Sequence, residues 1–166
     1  MNYIACADKN WGIGRNGGLL FSLPADMKFF RETTLGKTVV MGRKTLLSLP
    51  GGRPLKNRRN IVMTRDKNFV CENAEIVHSP EQLFEIVDRD SDDVFVIGGA
   101  EIYNQLYNYC KNAYITKVDS DGKADVFIKN LDLLGNWKIV KRSEVFEQNG
   151  LDFSFFIYEN SCPDNL

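Results

Sequence analysis

The run Asp93-Val94-Phe95-Val96-Ile97, followed at once by Gly98-Gly99, limits the possible folds of this chain more than any other feature. Its β-branched and aromatic residues are continuous rather than alternating, the pattern of a strand covered on both faces. Such a strand needs neighbours beside it and helices above and below, which points to an α/β fold. The surrounding pattern agrees. Residues 3–7, 38–41, 60–64, 75–77 and 114–118 are further strand-like runs. Pro24 suits the first position of a helix running to about residue 35, with Gly36 as its stop. Ser79-Pro80-Glu81-Gln82 opens another in a capping pattern, with Leu83, Ile86 and Val87 on one face. A third follows Gly98-Gly99, with Ile102, Leu106 and Tyr109 at helical spacing. The last strands, near residues 138–142 and 153–158, have no helix between them and read as an antiparallel pair around Gln148-Asn149-Gly150. The expectation is a single α/β domain over residues 1–166: a mostly parallel eight-stranded sheet with an antiparallel C-terminal edge, flanked by about four helices.

Between the first strand and the first helix lies Trp11-Gly12-Ile13-Gly14-Arg15-Asn16-Gly17-Gly18, which reads as too flexible for either regular element. Charge excludes some partners. With 21 basic against 22 acidic residues the net charge is −1, so no global field draws in nucleic acid or an anionic membrane. No apolar run approaches the ~20 residues that span a bilayer. The start of the chain lacks the basic and apolar regions of a secretion signal. The four cysteines, Cys6, Cys71, Cys110 and Cys162, form no Cys-x-x-Cys pair and read as reduced thiols of a cytoplasmic protein. His78 is the only histidine, which makes a zinc site or a histidine triad hard to assemble, and no metal is expected. The plain reading of His78 is a surface residue entering a loop.

Four constellations carry possible chemistry. In Leu23-Pro24-Ala25-Asp26-Met27-Lys28-Phe29-Phe30, Asp26 is the third residue of the expected helix. Acids favour a first turn because they meet unpaired N–H groups there, and on spacing alone that plain reading is preferred. Phe29 and Phe30 lie three and four positions on, so both border the patch beside Asp26. A carboxylate against apolar surface needs a specific partner, and a flat amidine-like edge would be one. In Ile97-Gly98-Gly99-Ala100-Glu101-Ile102-Tyr103, glycines between a buried strand and a helix let a phosphate approach the backbone, or simply make a tight turn. Met41-Gly42-Arg43-Lys44-Thr45 ends one strand and Thr64-Arg65 the next; if these strands are neighbours, Arg43 and Arg65 converge and suit a 2′-phosphate. The loop Arg53, Lys56, Arg58, Arg59 is either solvated or holds a clamp for a substrate carboxylate. Trp11, Phe21 and Phe69 read equally well as core or as ligand wall.

Together these motifs resemble dihydrofolate reductase of the bacterial chromosomal type. The resemblance covers residues 3–159 and rests on Gly12-Ile13-Gly14, Leu23-Pro24-Ala25-Asp26, Val40-Met41-Gly42-Arg43-Lys44-Thr45, Gly52-Arg53-Pro54-Leu55 and Val96-Ile97-Gly98-Gly99-Ala100-Glu101-Ile102-Tyr103. It implies reduction of 7,8-dihydrofolate to tetrahydrofolate with NADPH, supplying one-carbon metabolism and thymidylate and purine synthesis, in a cytoplasmic monomer that also binds antifolates. By the same resemblance, Asp26 binds the 2-amino and N3 edge of the pterin and Thr116 supports it. Phe30 packs on the substrate rings, with Ala5, Cys6, Met27, Leu49 and Ile97 as apolar walls. Arg58, aided by Arg53, meets the glutamate tail. Ala7, Ile13, Gly14, Thr45, Ile97, Gly98, Gly99, Ala100 and Tyr103 surround the nicotinamide and phosphates, with Gly42, Lys44, Glu101 and Ile102 beside them. Arg43, Thr64 and Arg65 take the adenosine phosphate, within an adenosine-binding subdomain of about residues 37–90. The Gly98–Gly99 bond is expected to be cis. Phe21 stands where the family usually has tryptophan, which removes an N–H that anchors a water near the pterin.

Two rivals remain at this level. A pyrimidine reductase of the same fold would not need the Arg58 clamp or the Asp26 helix in this form. A nucleotide-binding module without catalysis explains the glycines and Arg43 but not an acid placed beside Phe29 and Phe30.

Overall fold

The apolar runs become neighbouring parallel strands, and their order brings separate motifs to adjacent strand ends. The computed structural model describes residues 1–164, so the last two residues of the expected domain lie outside it. In chain order the elements are β1 (Asn2–Ala7), β2 (Gly12–Arg15), β3 (Gly18–Leu19), α1 (Pro24–Thr34), β4 (Thr38–Gly42), α2 (Arg43–Ser48), β5 (Arg59–Met63) and β6 (Glu75–Val77). There follow α3 (Pro80–Ile86), β7 (Val94–Gly98), α4 (Ala100–Leu106), β8 (Asn112–Val118), β9 (Val126–Phe127), β10 (Trp137–Arg142), β11 (Phe146–Gln148) and β12 (Leu151–Asn160).

The main sheet runs β10-β12-β8-β1-β7-β4-β5-β6. From β8 to β6 every pairing is parallel, while β12 lies antiparallel to both β8 and β10. These are the eight strands expected, and β11 adds a short ninth on β12. In β7, Val94, Phe95 and Val96 are buried, as covering on both faces requires, whereas Ile97 is only partly buried. Strand alternation sorts β1 in the same way. Tyr3, Ala5 and Ala7 enter the larger core, and Cys6 turns to the opposite face, against Leu23, Phe21 and Ala25.

Three local expectations are corrected. The glycine-rich stretch is not irregular: β2 and β3 form a hairpin, and β9 joins them in a second sheet. Asn16 and Gly17 sit at φ 52° and 77°, the left-handed pair that a tight two-residue hairpin turn demands. The Asn149-Gly150 turn (φ 54° and 75°) likewise joins β11 to β12, so the expected partner β10 reaches β12 by a longer route. In α3, Leu83 is buried, as is Val87 just past its end, but Ile86 is 37% exposed, because the helix stops at Ile86 and Val87 is already extended.

Helix α1 begins at Pro24 with no side-chain cap of its own. Gln148 from β11 supplies the acceptor instead, taking the Ala25 N–H at 2.9 Å. That bond fixes the first turn of α1 against the antiparallel edge. The helix ends at Thr34, and Gly36 follows at φ 73°, in the left-handed conformation that suits a helix stop.

Candidate active site

Asp26 is the third residue of α1, and the capped first turn aims it at the sheet. Thr116 of β8, fully buried, donates its hydroxyl to Asp26 Oδ1 at 2.6 Å. The Cys6 thiol of β1 lies opposite Thr116 in the register of β1 and β8. Burial raises the Asp26 carboxyl above its ordinary value, and the Thr116 hydroxyl, then the Cys6 thiol, act against that rise. The result is a desolvated acid with one neutral hydroxyl donor and a thiol nearby.

The other substrate-side residues divide among several places. Phe21 packs against the buried cluster of Leu23, Val118 and Phe153, which Cys6 and Ala25 also join. Phe30 is half-buried and Met27 is 54% exposed, both on α1. Leu49 and Ile97 belong to a separate cluster around Val39, Met41, Leu46 and Val62. Two placements differ from the sequence reading. Ala5 turns its side chain into the larger core, away from Asp26, as strand alternation dictates. Phe29 packs on Phe155 of β12 with ring centroids 4.6 Å apart and the rings tilted by 38°, which leaves Phe30 without a ring partner among the described residues.

The two loop arginines separate cleanly. Arg59 is held by Glu75 through paired bonds of 2.6 and 2.8 Å and donates to the Ile86 carbonyl at 3.1 Å. Arg58 lies beside α1, donating to the Arg31 carbonyl at 3.1 Å and to Thr34 Oγ1 at 3.2 Å, with no acid partner among the described residues. Of these two, Arg58 is the one that presents a guanidinium without an acid partner on the α1 side, where Arg31 of α1 is a second cation. Arg53 is exposed in the preceding loop.

On the far side of β7 lies a cavity of about 600 Å³. Its lining includes Gly42, Arg43, Lys44 and Thr45, then Thr64 and Arg65, then Gly99, Ala100, Glu101 and Ile102. Strands β4 and β5 are parallel neighbours with Gly42 opposite Met63, so Arg43 and Arg65 do converge. Arg43 stands 3.9 Å from Asp66 and over the ring of Phe69, and Arg65 stands 3.4 Å from Glu101. Phe69 is therefore part of the apolar support beneath Arg43. The backbone is tight where a phosphate would pass. A Cβ on Gly42 would meet Ile102 Cγ1 at 3.0 Å, and one on Gly99 would meet Thr45 Oγ1 at 3.2 Å. The Gly98–Gly99 bond is cis. Neither α2 nor α4 has a side-chain cap, so their first N–H groups are left for solvent or a ligand. Cations, glycine cradle and open helix starts fit a dinucleotide that carries an extra phosphate.

Ala7 and Tyr103 are buried, and Tyr103 donates its hydroxyl to the Ile4 carbonyl at 2.6 Å, tying α4 to β1. Ile13 and Gly14 lie on β2. His78 is, as expected, a partly exposed residue entering the loop between β6 and α3, and it also lines the cavity, a place of which the sequence gives no sign. Its Nδ1 sits 2.8 Å from the Thr64 carbonyl, which only accepts, so that nitrogen carries the proton.

Sequence also gave no sign of the joint between β1 and the small sheet. Asp8 is buried, and its Oδ1 accepts from the N–H groups of Asn10 and Gly12 at 2.9 and 2.8 Å. Its Oδ2 accepts from Gly122 N at 3.0 Å, and Lys9 N reaches the Ser120 carbonyl at 3.1 Å. At the tip, Asn16 N donates to Asp125 at 2.9 Å. Trp11 is buried edge-on to Tyr158, which makes it core and not ligand wall.

Comparison with known proteins agrees with this geometry. The dihydrofolate reductase family model matches residues 1–160. The dihydrofolate reductase of Staphylococcus haemolyticus is 35% identical over 163 residues, covering 96% of this chain and 95% of that protein. That of Bacillus subtilis is 34% identical over 161 residues, covering 96% and 94%. Among solved structures, dihydrofolate reductase from Enterococcus faecalis complexed with NADP(H) and RAB-propyl superposes with a TM-score of 0.84. The two are 31% identical, over 96% of this chain and 95% of that one. With Asp26 held by Thr116 on one side of β7 and an arginine-lined cavity on the other, the chain belongs to the dihydrofolate reductase family.

Proposed function

We propose that Asp26 is the group through which this dihydrofolate reductase binds and helps protonate its substrate. The enzyme reduces 7,8-dihydrofolate to tetrahydrofolate at the expense of NADPH. The observation that carries the residue assignment is the 2.6 Å bond from Thr116 to Asp26. It fixes one carboxylate oxygen and leaves the other edge free to accept from the N3 and 2-amino donors of the pterin.

NADPH, when bound, supplies the hydride that goes to C6 of the pterin. Arg43, Lys44, Thr64 and Arg65 would hold its adenosine phosphate, within the segment of about residues 37–90. Gly42, Thr45 and the backbone from Gly98 to Ala100 would take the pyrophosphate, with Ile13, Gly14 and Ala7 toward the nicotinamide. Arg58 clamps the glutamate tail, and Phe30, Met27, Leu49 and Ile97 bound the rings. Asp26 orients the pterin and stabilises its cationic form, while a water beside it delivers the proton to N5. Phe21 has no N–H to offer that water, so the polar contacts on this edge fall to Asp26 and the substrate itself. The segment Trp11–Gly18, with the β2–β3 hairpin, would act as a lid over the nicotinamide, and its motion or product release would then set the pace of turnover. The same pocket accepts antifolates. The protein acts as a cytoplasmic monomer; its four free cysteines suit the reducing compartment.

The test is an assay of the purified chain with dihydrofolate and NADPH, following oxidation of the cofactor. Turnover is the expected result. NADPH binding without reduction of folate would move the assignment to the pyrimidine reductase or to a non-catalytic module.

A further inference from the structure

Asp26 has a partner whose chemistry the apolar-wall reading of Cys6 does not use. In the parallel pairing of β1 and β8, Cys6 is directly opposite Thr116. Residues in register on neighbouring strands present their side chains on the same face. The alternation of β1 agrees, since Tyr3, Ala5 and Ala7 face the larger core and Cys6 faces Leu23 and Ala25. The thiol of Cys6 is therefore set beside the hydroxyl of Thr116, on the face of the sheet where that hydroxyl meets Asp26. Among the described residues no charged side chain acts on the carboxylate there. Beyond Thr116 and Cys6, the titratable group near it is Tyr103 of α4, whose own proton is given to the Ile4 carbonyl. Burial and the neighbouring carboxylate keep the Cys6 thiol protonated well past its ordinary range. It is a donor, not a nucleophile and not a competing anion.

We propose that Cys6 is a positioning residue for the reduction: its S–H donates to the Asp26 carboxylate beside the O–H of Thr116 and fixes the plane of that carboxylate. The proposal rests on the reading of Asp26 as the pterin-binding group. Two donors from adjacent strands occupy the protein side of the carboxylate and leave its outer edge for the substrate. A hydrogen bond to the charged form opposes desolvation, and a thiol does so less strongly than a hydroxyl because S–H is a weak donor.

The test follows the Asp26 carboxyl directly by carbon NMR titration, without substrate or cofactor, in the wild type and in Cys6→Ala, Cys6→Ser and Thr116→Val. The pH dependence of turnover is measured in the same proteins. Cys6→Ala should raise the midpoint by roughly half a pH unit, and Thr116→Val should raise it further. Cys6→Ser, which keeps a donor of nearly the same size, should return the midpoint to the wild-type value or below. The pH profile of turnover should move in the same order. If Cys6→Ala does not fold, Cys6→Val takes its place, filling the space without a donor. An unchanged midpoint in the donor-less variant overturns the proposal, as does a serine variant displaced as far as the alanine one. Because the titration needs no turnover, failure of the Cys6 role leaves the role of Asp26 to be judged on its own.

Discussion

Thr116 on β8 and Asp26 in the first turn of α1 are 90 positions apart in the chain, yet the threonine hydroxyl meets the carboxylate at 2.6 Å. Thr116 is fully buried, so this bond has no water to replace it. Thr116→Val keeps the shape and removes the donor. Dihydrofolate affinity should fall by about tenfold, in keeping with the loss of one bond to a charged group, while NADPH affinity stays near wild type. Separate binding titrations of the two ligands check this. An equal loss for both would point to a general collapse of the sheet.

The adenosine end of the site makes its own prediction. Arg43 lines the cavity at the end of β4 and is supported from below by Phe69. Arg43→Ala should weaken NADPH binding by about ten- to a hundredfold and leave NADH binding nearly unchanged, because only the former carries the extra phosphate. Fluorescence titration with each cofactor distinguishes the cases. Equal weakening of both would remove the 2′-phosphate from this arginine.

Asp8 is a structural joint. Its buried carboxylate takes three backbone N–H groups, from Asn10, Gly12 and Gly122, and so ties the chain leaving β1 to the loop after β8. Asp8→Ala should destabilise the fold by about 2 kcal/mol or more, since it leaves those donors unpaired in a confined space. Urea unfolding gives the number. Hydrogen exchange at Gly12 and Gly122 should rise ahead of exchange in the central strands.

The raised carboxyl of Asp26 has a consequence for stability as well as chemistry. Its value in the folded chain lies above the ordinary 3.8, so the native state prefers the neutral acid. The penalty for holding the anion is absent below the unfolded value, develops as pH rises through the folded value, and is present in full above it. Asp26→Asn carries no charge and escapes that penalty. The variant should be at least as stable as the wild type at pH 7, with the difference closing as the pH is lowered below the ordinary carboxylate range. Thermal unfolding across pH reads the sign. A variant less stable than wild type at neutral pH would contradict it.

How much of this was legible beforehand depends on where the information sits. Strands such as β7 and helices such as α1 were readable because burial leaves a local mark in residue type and spacing. The pairing of Arg43 with Arg65 followed from two strand ends and needed only that β4 and β5 be neighbours. The hairpin of β2 and β3 was misread because glycines look the same in a mobile loop and in a turn that needs left-handed backbone. Asp8 and Gln148 left no trace at all. Each accepts from backbone N–H groups, which every residue carries, and the Gln148 bond spans 123 positions. Phe29 and Phe30 show the same limit: spacing placed both near Asp26, and only the position of β12 decided which ring was taken. A single histidine offers no triad or zinc site to read from sequence, and the place of His78 beside the cavity is set by the end of β6.

The central claim is that Asp26 does work no other side chain at that edge can do. The most direct measurement is turnover of Asp26→Asn with dihydrofolate and NADPH at pH 7, alongside the NADPH dissociation constant of the same protein. Turnover should fall by at least about a hundredfold, the usual scale for losing a positioned acid or base, with cofactor affinity within about twofold of wild type. Near wild-type turnover in that variant would contradict the assignment.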